Sequence, residues 1–171
     1  MPHPDMDRSP DLDKTSPSGE ASVLSLELAN EIAEVQRLIG GIQDFGRRNH
    51  LPEPLIWQFV LALDELVTNV ISYAYDDQAR HWIKVILRLE NGSWLAEVID
   101  DGRAYDPLER PPVDVAADIT ARPIGGLGVH IVKQLMDVVA YQRRDGRNYL
   151  SLAKTVCAKT ASAEAASEKG T

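Results

Sequence analysis

A long apolar stretch carrying a single polar seam is the clearest pattern along the chain. From Leu55 to Tyr75 most positions are apolar, and at about 100° per residue Gln58, Glu65, Asn69 and Ser72 fall within one narrow arc. This predicts a helix from about Pro54 to Tyr75, introduced by the turn residues Pro52 and Pro54. Upstream, Val23, Ser25 and Glu27 alternate with Leu24, Leu26 and Leu28, the period of a half-buried strand. Asn30 is the expected N-cap of a helix from Glu31 to about Arg48. Ile32, Val35, Leu38, Ile39 and Ile42 give it an apolar face, and Asn49 and His50 end it.

Downstream, two strands are expected, at about His81 to Glu90 and Ser93 to Ile99, joined by Asn91-Gly92, a strong hairpin signal. Parity puts Trp94, Ala96, Val98 and Asp100 on one face of the second strand and Leu95, Glu97, Ile99 and Asp101 on the other. Glu97 marks the second face as the wetter, so Asp100 should point toward the helices and Asp101 toward water. Pro107 to Arg122 shows no period, and the segment from about Leu108 to Gly125 is expected to be a mobile lid. A third helix is expected from Gly126 to about Asp137. A last hairpin, Val138 to Arg144 and Arg147 to Thr155, turns at Asp145-Gly146. The order β-α-α-β-β-(loop)-α-β-β predicts an α+β two-layer sandwich, a mostly antiparallel sheet with helices on one face.

Composition trims this picture. The chain has 171 residues, room for one domain, expected over residues 21–157 between a proline-containing tail at 1–20 and an alanine- and serine-rich tail at 158–171. The net charge is −8 and no Lys/Arg run stands out, so nucleic acid is not an expected ligand. Cys157, the single cysteine, excludes an internal disulfide framework and reads as structural. No apolar run is expected to approach the roughly 20 residues of a membrane helix, and the first 20 residues do not read as a secretory signal, so a cytoplasmic protein is expected. The three tryptophans, Trp57, Trp82 and Trp94, are expected to pack in the core, and His130 to be a surface or packing residue.

Three segments carry candidate chemistry. Glu65 and Asn69 sit one turn apart on the seam, where a carboxylate and an amide are costly to bury without a partner. A metal–phosphate is one such partner; the alternative is that the two cap a neighbouring loop or bond each other. Asp100-Asp101-Gly102 ends a strand, where a carboxylate can accept from an exocyclic amine and glycine permits close approach of a flat ring; an ordinary turn is the alternative. Tyr105 follows, an aromatic that could lie near a base or fill core. Gly125-Gly126-Leu127-Gly128-Val129 opens a helix, whose free N–H groups and partial positive charge suit phosphates; a hinge is the alternative. No Walker loop, dinucleotide fingerprint or nucleophile elbow is present.

In this order and spacing the three segments resemble the ATP-binding domain of gyrase, heat-shock chaperones, histidine kinases and mismatch-repair ATPases, the Bergerat fold, over about residues 22–155. Within it the chain is most similar to the small stand-alone anti-sigma factor serine/threonine kinases of bacteria, through its size, Tyr105-Asp106-Pro107 after the Asp-x-Gly box, the proline-rich lid and the closing Leu150-Ser151-Leu152-Ala153-Lys154. The resemblance implies ATP and Mg2+ as cofactors. It implies Glu65 as general base, Asn69 as magnesium ligand, and Asp100 with Gly102 and Tyr105 at the adenine. Gly125, Gly126, Leu127, Gly128 and Val129 are implied near the phosphates. Ala104 stands where gyrase-like members carry glycine, and Tyr73 where many of the kinases carry histidine. The implied partners are a small anti-sigma factor antagonist of the STAS type, a sigma factor or other regulated protein, and a second copy in a homodimer. The implied activity is ATP-dependent phosphorylation of the antagonist. A non-catalytic ATP-binding module acting by sequestration is the alternative.

Overall fold

The computed structural model describes residues 22–109 and 126–156. Both expected tails, most of the expected lid, Gly125 and Cys157 lie outside the described residues. The elements run β1 (Ser22–Ala29), α1 (Glu34–Arg48), α2 (Glu53–Tyr73), β2 (Trp82–Glu90), β3 (Ser93–Asp100), α3 (Gly126–Leu135), β4 (Val138–Arg144) and β5 (Arg147–Thr155). The five strands form one sheet in the order β1-β2-β3-β5-β4, with every neighbouring pair antiparallel. The α+β architecture read from the sequence is the one observed.

Both tight hairpins form where their turn residues predict. Asn91 and Gly92 have φ of 50° and 71°, and Asp145 and Gly146 have 51° and 76°. Two consecutive positive φ values define the turn whose twist matches antiparallel strands, and Asn-Gly and Asp-Gly adopt it at little cost. The Asp145-Gly146 turn sets the β4–β5 register that puts Asn148 opposite Arg143, and the pairing of β3 with β5 puts Asp100 opposite Asn148.

The helices cover one face of the sheet. Trp94, Ala96, Val98 and Asp100 of β3 all point into that interface and are buried, as parity required. Trp94 is fully buried and stacks on Phe59 of α2, with ring centroids 4.0 Å apart. Helix α2 lies centrally, packed against α1 and α3 and resting on β3. It is 21 residues long and, by length and composition alone, apolar enough to cross a membrane. This corrects the expectation that no apolar run approaches that length. Here the helix instead buries Leu55, Ile56, Phe59, Leu63, Leu66 and Val67 against the protein's own core.

Other expectations need correction. Helix α1 begins at Glu34, not Glu31, and its N-cap residue, Ala33, makes no side-chain cap bond. Asn30 acts elsewhere: its amide donates to the Ala79 carbonyl (3.2 Å) and accepts from the His81 N–H (3.0 Å), tying the end of β1 to the approach to β2. Ile32 is consequently off the helix and exposed. Trp57 and Trp82 are each 54% exposed, so only Trp94 packs in the core as expected. Membership of an apolar element does not dictate burial, because much of any protein surface is apolar.

The end of α1 is held by its backbone. His50 N–H donates to the Arg47 carbonyl (3.0 Å) and Leu51 N–H to the Gly46 carbonyl (2.9 Å). His50 takes the left-handed conformation between them, with φ of 54°. This is the paired-bond helix stop that usually employs glycine at the left-handed position.

Candidate functional site

Glu65 and Asn69 occupy successive turns of α2, and the Asn69 amide nitrogen donates to Glu65 Oε1 at 2.8 Å. The mutual bond weighed from the sequence is therefore present. It does not consume the pair, because the Asn69 amide keeps its carbonyl oxygen and Glu65 a second carboxylate oxygen. Across from Glu65 lies the opening turn of α3. A Cβ built on Gly128 would sit 1.8 Å from both Cδ and Oε1 of Glu65. Glycine at 128 is thus what allows the carboxylate to lie directly on the α3 backbone. Gly126 and Leu127 form the first residues of that helix. Helix-opening N–H groups have no intrahelical acceptor, so this turn presents donors beside Glu65.

A cavity of about 260 Å³ opens alongside. Asn69 and Val70 line it from α2, Val98 and Asp100 from β3, Val129 from α3, and Tyr141, Asn148 and Leu150 from the closing hairpin, with Tyr105 and Pro107 in the segment after β3. Its walls are mainly apolar, with few polar groups, the usual make-up of a small-molecule site. Asn69, Asp100, Tyr105 and Val129 of the predicted set share this cavity. Glu65 and Gly128 join through their contacts with Asn69 and with each other. Gly125 lies outside the described residues.

Asp100 is 5% exposed. Its Oδ1 accepts from the Gly102 N–H (2.9 Å) and the Asn148 amide (2.8 Å). Burial raises its pKa above the ordinary carboxylate value, opposed by those two hydrogen bonds and by the charge of Arg143. Gly102 is buried, and a Cβ there would meet Ala74 Cβ at 2.5 Å and the Ala74 carbonyl oxygen at 2.7 Å. The close approach it allows is therefore to the end of α2 and to Asp100. Arg103 N–H donates to the same Ala74 carbonyl at 2.9 Å, which locks this turn to the helix carrying Glu65 and Asn69.

Sequence reasoning missed Asn148, Tyr141 and Arg143. The Asn148 amide accepts from the Tyr141 hydroxyl (2.8 Å) and from Arg143 Nη1 (2.6 Å), and donates to Asp100 and to the Arg103 carbonyl (3.0 Å). A signal was available: Asn148 shares strand parity with Leu150 and Leu152, a lone amide on the buried face of β5. His130 contacts Gln134 one turn along α3, at 3.0 Å, in keeping with a surface role. Where the expected lid would begin, Lys133 of α3 donates to the Leu108 carbonyl at 2.8 Å.

An antiparallel sheet, an acid–amide helix, a strand-end aspartate and a glycine-opened helix thus meet around one cavity. The histidine kinase-like ATPase domain family matches residues 28–154, and the chain belongs to that family. Within it, the likeness is to serine/threonine-protein kinases. The chain is 27% identical over 128 residues to the serine/threonine-protein kinase BtrW of Bordetella bronchiseptica, covering 75% of this chain and 90% of that one. It is 29% identical over 90 residues to the serine-protein kinase RsbW of Listeria monocytogenes, covering 50% of this chain and 57% of that one. A structure of the RsbU and RsbW domains of Rv1364c from Mycobacterium tuberculosis shares the fold, with a TM-score of 0.59 at 18% identity. That match spans 79% of this chain and 32% of the larger one.

Proposed function

We propose that this protein is an ATP-dependent serine/threonine kinase of the partner-switching type, which binds and phosphorylates a small antagonist protein and in its other state holds a sigma factor or comparable regulator. The observation that carries the reading is the contact of Glu65 with both Asn69 and Gly128, beside a cavity that Asn69 and Asp100 line together.

The donor set fits magnesium nucleotide. With its nitrogen given to Glu65, Asn69 has a carbonyl oxygen to offer, the ligand type a hard cation takes. One protein oxygen is enough where phosphates and water complete the shell, as magnesium usually arranges. When bound, the cation would neutralise phosphate charge during transfer. Asp100 accepts from the adenine amine, and Tyr105 packs beside the base. The N–H groups opening α3 receive phosphate oxygens. Glu65 takes the proton of the acceptor serine hydroxyl as its oxygen bonds to the γ-phosphorus and ADP leaves.

The test is incubation with Mg-ATP and the antagonist domain, followed by phosphoserine mapping. Transfer by the native chain that is lost in Glu65→Ala is the expected result. Tight ATP binding without transfer to a genuine partner would instead make the chain a sequestration module.

A further inference from the structure

We infer that Asn148 is a positioning residue for base recognition: clamped in one orientation by Arg143, it holds one oxygen of Asp100 and leaves the other to select a purine bearing a 6-amino group. The inference rests on the reading of Asp100 as the adenine contact and adds the device that makes that contact selective.

The argument is one of donors and acceptors. The three residues lie side by side across the sheet, Asp100 opposite Asn148 and Asn148 opposite Arg143. A buried amide can be placed two ways round, exchanging its oxygen and nitrogen. Tyr141 does not choose between them, because a hydroxyl donates or accepts as required. Arg143 does choose, because a guanidinium only donates. Its Nη1 lies 2.6 Å from Asn148 Oδ1, so the amide oxygen must face β4 and the amide nitrogen must face β3. That nitrogen is fully used, donating to Asp100 Oδ1 and to the Arg103 carbonyl.

Asp100 Oδ1 already receives the Gly102 N–H, so two donors converge on one oxygen. Oδ2 has no hydrogen bond among the described residues, and Asp100 lines the cavity. An acceptor held in this way binds an exocyclic amine and repels a carbonyl at the same ring position. Arg143 also donates to the Gly102 carbonyl (3.0 Å) and, through Nη2, to the Gly146 carbonyl (3.0 Å). The clamp is thereby anchored to the β4–β5 turn and to the turn after β3.

The test uses two nucleotides and two variants of the full chain. ATP is compared with purine riboside triphosphate, which has hydrogen in place of the 6-amine. The native protein should prefer ATP by roughly tenfold or more, the worth of one charge-assisted hydrogen bond. Asn148→Asp keeps the shape and the acceptors for Tyr141 and Arg143 but turns a second carboxylate on Asp100. Its preference for ATP should collapse toward unity at alkaline pH, where both carboxylates are charged, and return as the pH falls and the pair shares a proton. Arg143→Met, which frees the amide to turn, should lose part of the preference at every pH. Equal weakening of both nucleotides with no pH dependence, or an unchanged preference in both variants, would overturn the inference. A native protein that did not distinguish the two nucleotides would overturn the adenine assignment itself, and the clamp with it.

Discussion

Glu65 rests on the backbone of Gly128, so closely that even a methyl group at 128 would occupy the space of the carboxylate. The general base proposed on α2 and the phosphate-binding turn proposed on α3 are therefore one packed unit. Gly128→Ala should displace Glu65 and loosen its bond to Asn69. Phosphoryl transfer should fall by roughly a hundredfold, the usual scale of a misplaced base, while thermal stability changes by a few degrees at most. Retention of full activity would separate the two groups functionally.

Gly46 offers a contrasting case. Glycine inside a helix ordinarily costs about 0.5–1 kcal/mol relative to alanine. Here, however, a Cβ would meet Ile56 at 2.6 and 2.8 Å and Trp94 at 3.3 Å. Gly46→Ala should therefore destabilise, by about 1–3 kcal/mol for an overpacked contact, despite the better helix former. Urea unfolding gives the sign directly.

The turn after α1 invites the opposite change. His50 holds a left-handed backbone that glycine adopts freely. His50→Gly keeps both backbone bonds of the helix stop and should raise stability by up to about 1 kcal/mol. A lower unfolding midpoint would mean that the imidazole contributes more than the backbone strain it imposes.

His81 sits between two carboxylates, with Nε2 2.9 Å from Asp77 and Nδ1 3.2 Å from Asp101, and its ring stacks on Tyr75. The Asp77 bond raises its pKa above the ordinary imidazole value, partly opposed by desolvation and aided by Asp101. A pKa raised on folding contributes stability that is complete below the unfolded value of about 6.5 and is lost as pH rises through the folded value. Stability should therefore fall across that window, and His81→Gln should flatten the profile there. The same contact lowers the pKa of Asp77, chiefly through the His81 bond, so that share is lost as pH falls through the folded value of Asp77.

What could be read from the sequence was whatever local chemistry controls. Asn91-Gly92 and Asp145-Gly146 specify their turns by backbone preference alone, and the two-residue period placed Asp100 on the buried face of β3. Glu65 and Asn69 were visible because polar groups one turn apart on an apolar helix demand a partner. Asn30 was misread because its partners, Ala79 and His81, lie 49 and 51 residues away, and no local rule weighs a cap against a distant bond. Trp57 and Trp82 were misassigned because periodicity reports an element and not what covers it. Asn148 was overlooked although its strand parity marked it, because its role appears only when β3, β4 and β5 are side by side.

Calorimetric titration of the native chain and Asp100→Ala with Mg-ATP tests the central claim most directly. The account predicts one saturable site per chain in the native protein and a loss of affinity of tenfold or more, roughly one charge-assisted hydrogen bond, in the variant. Absence of binding heat across temperatures in the native protein, or equal affinity in both, would contradict it.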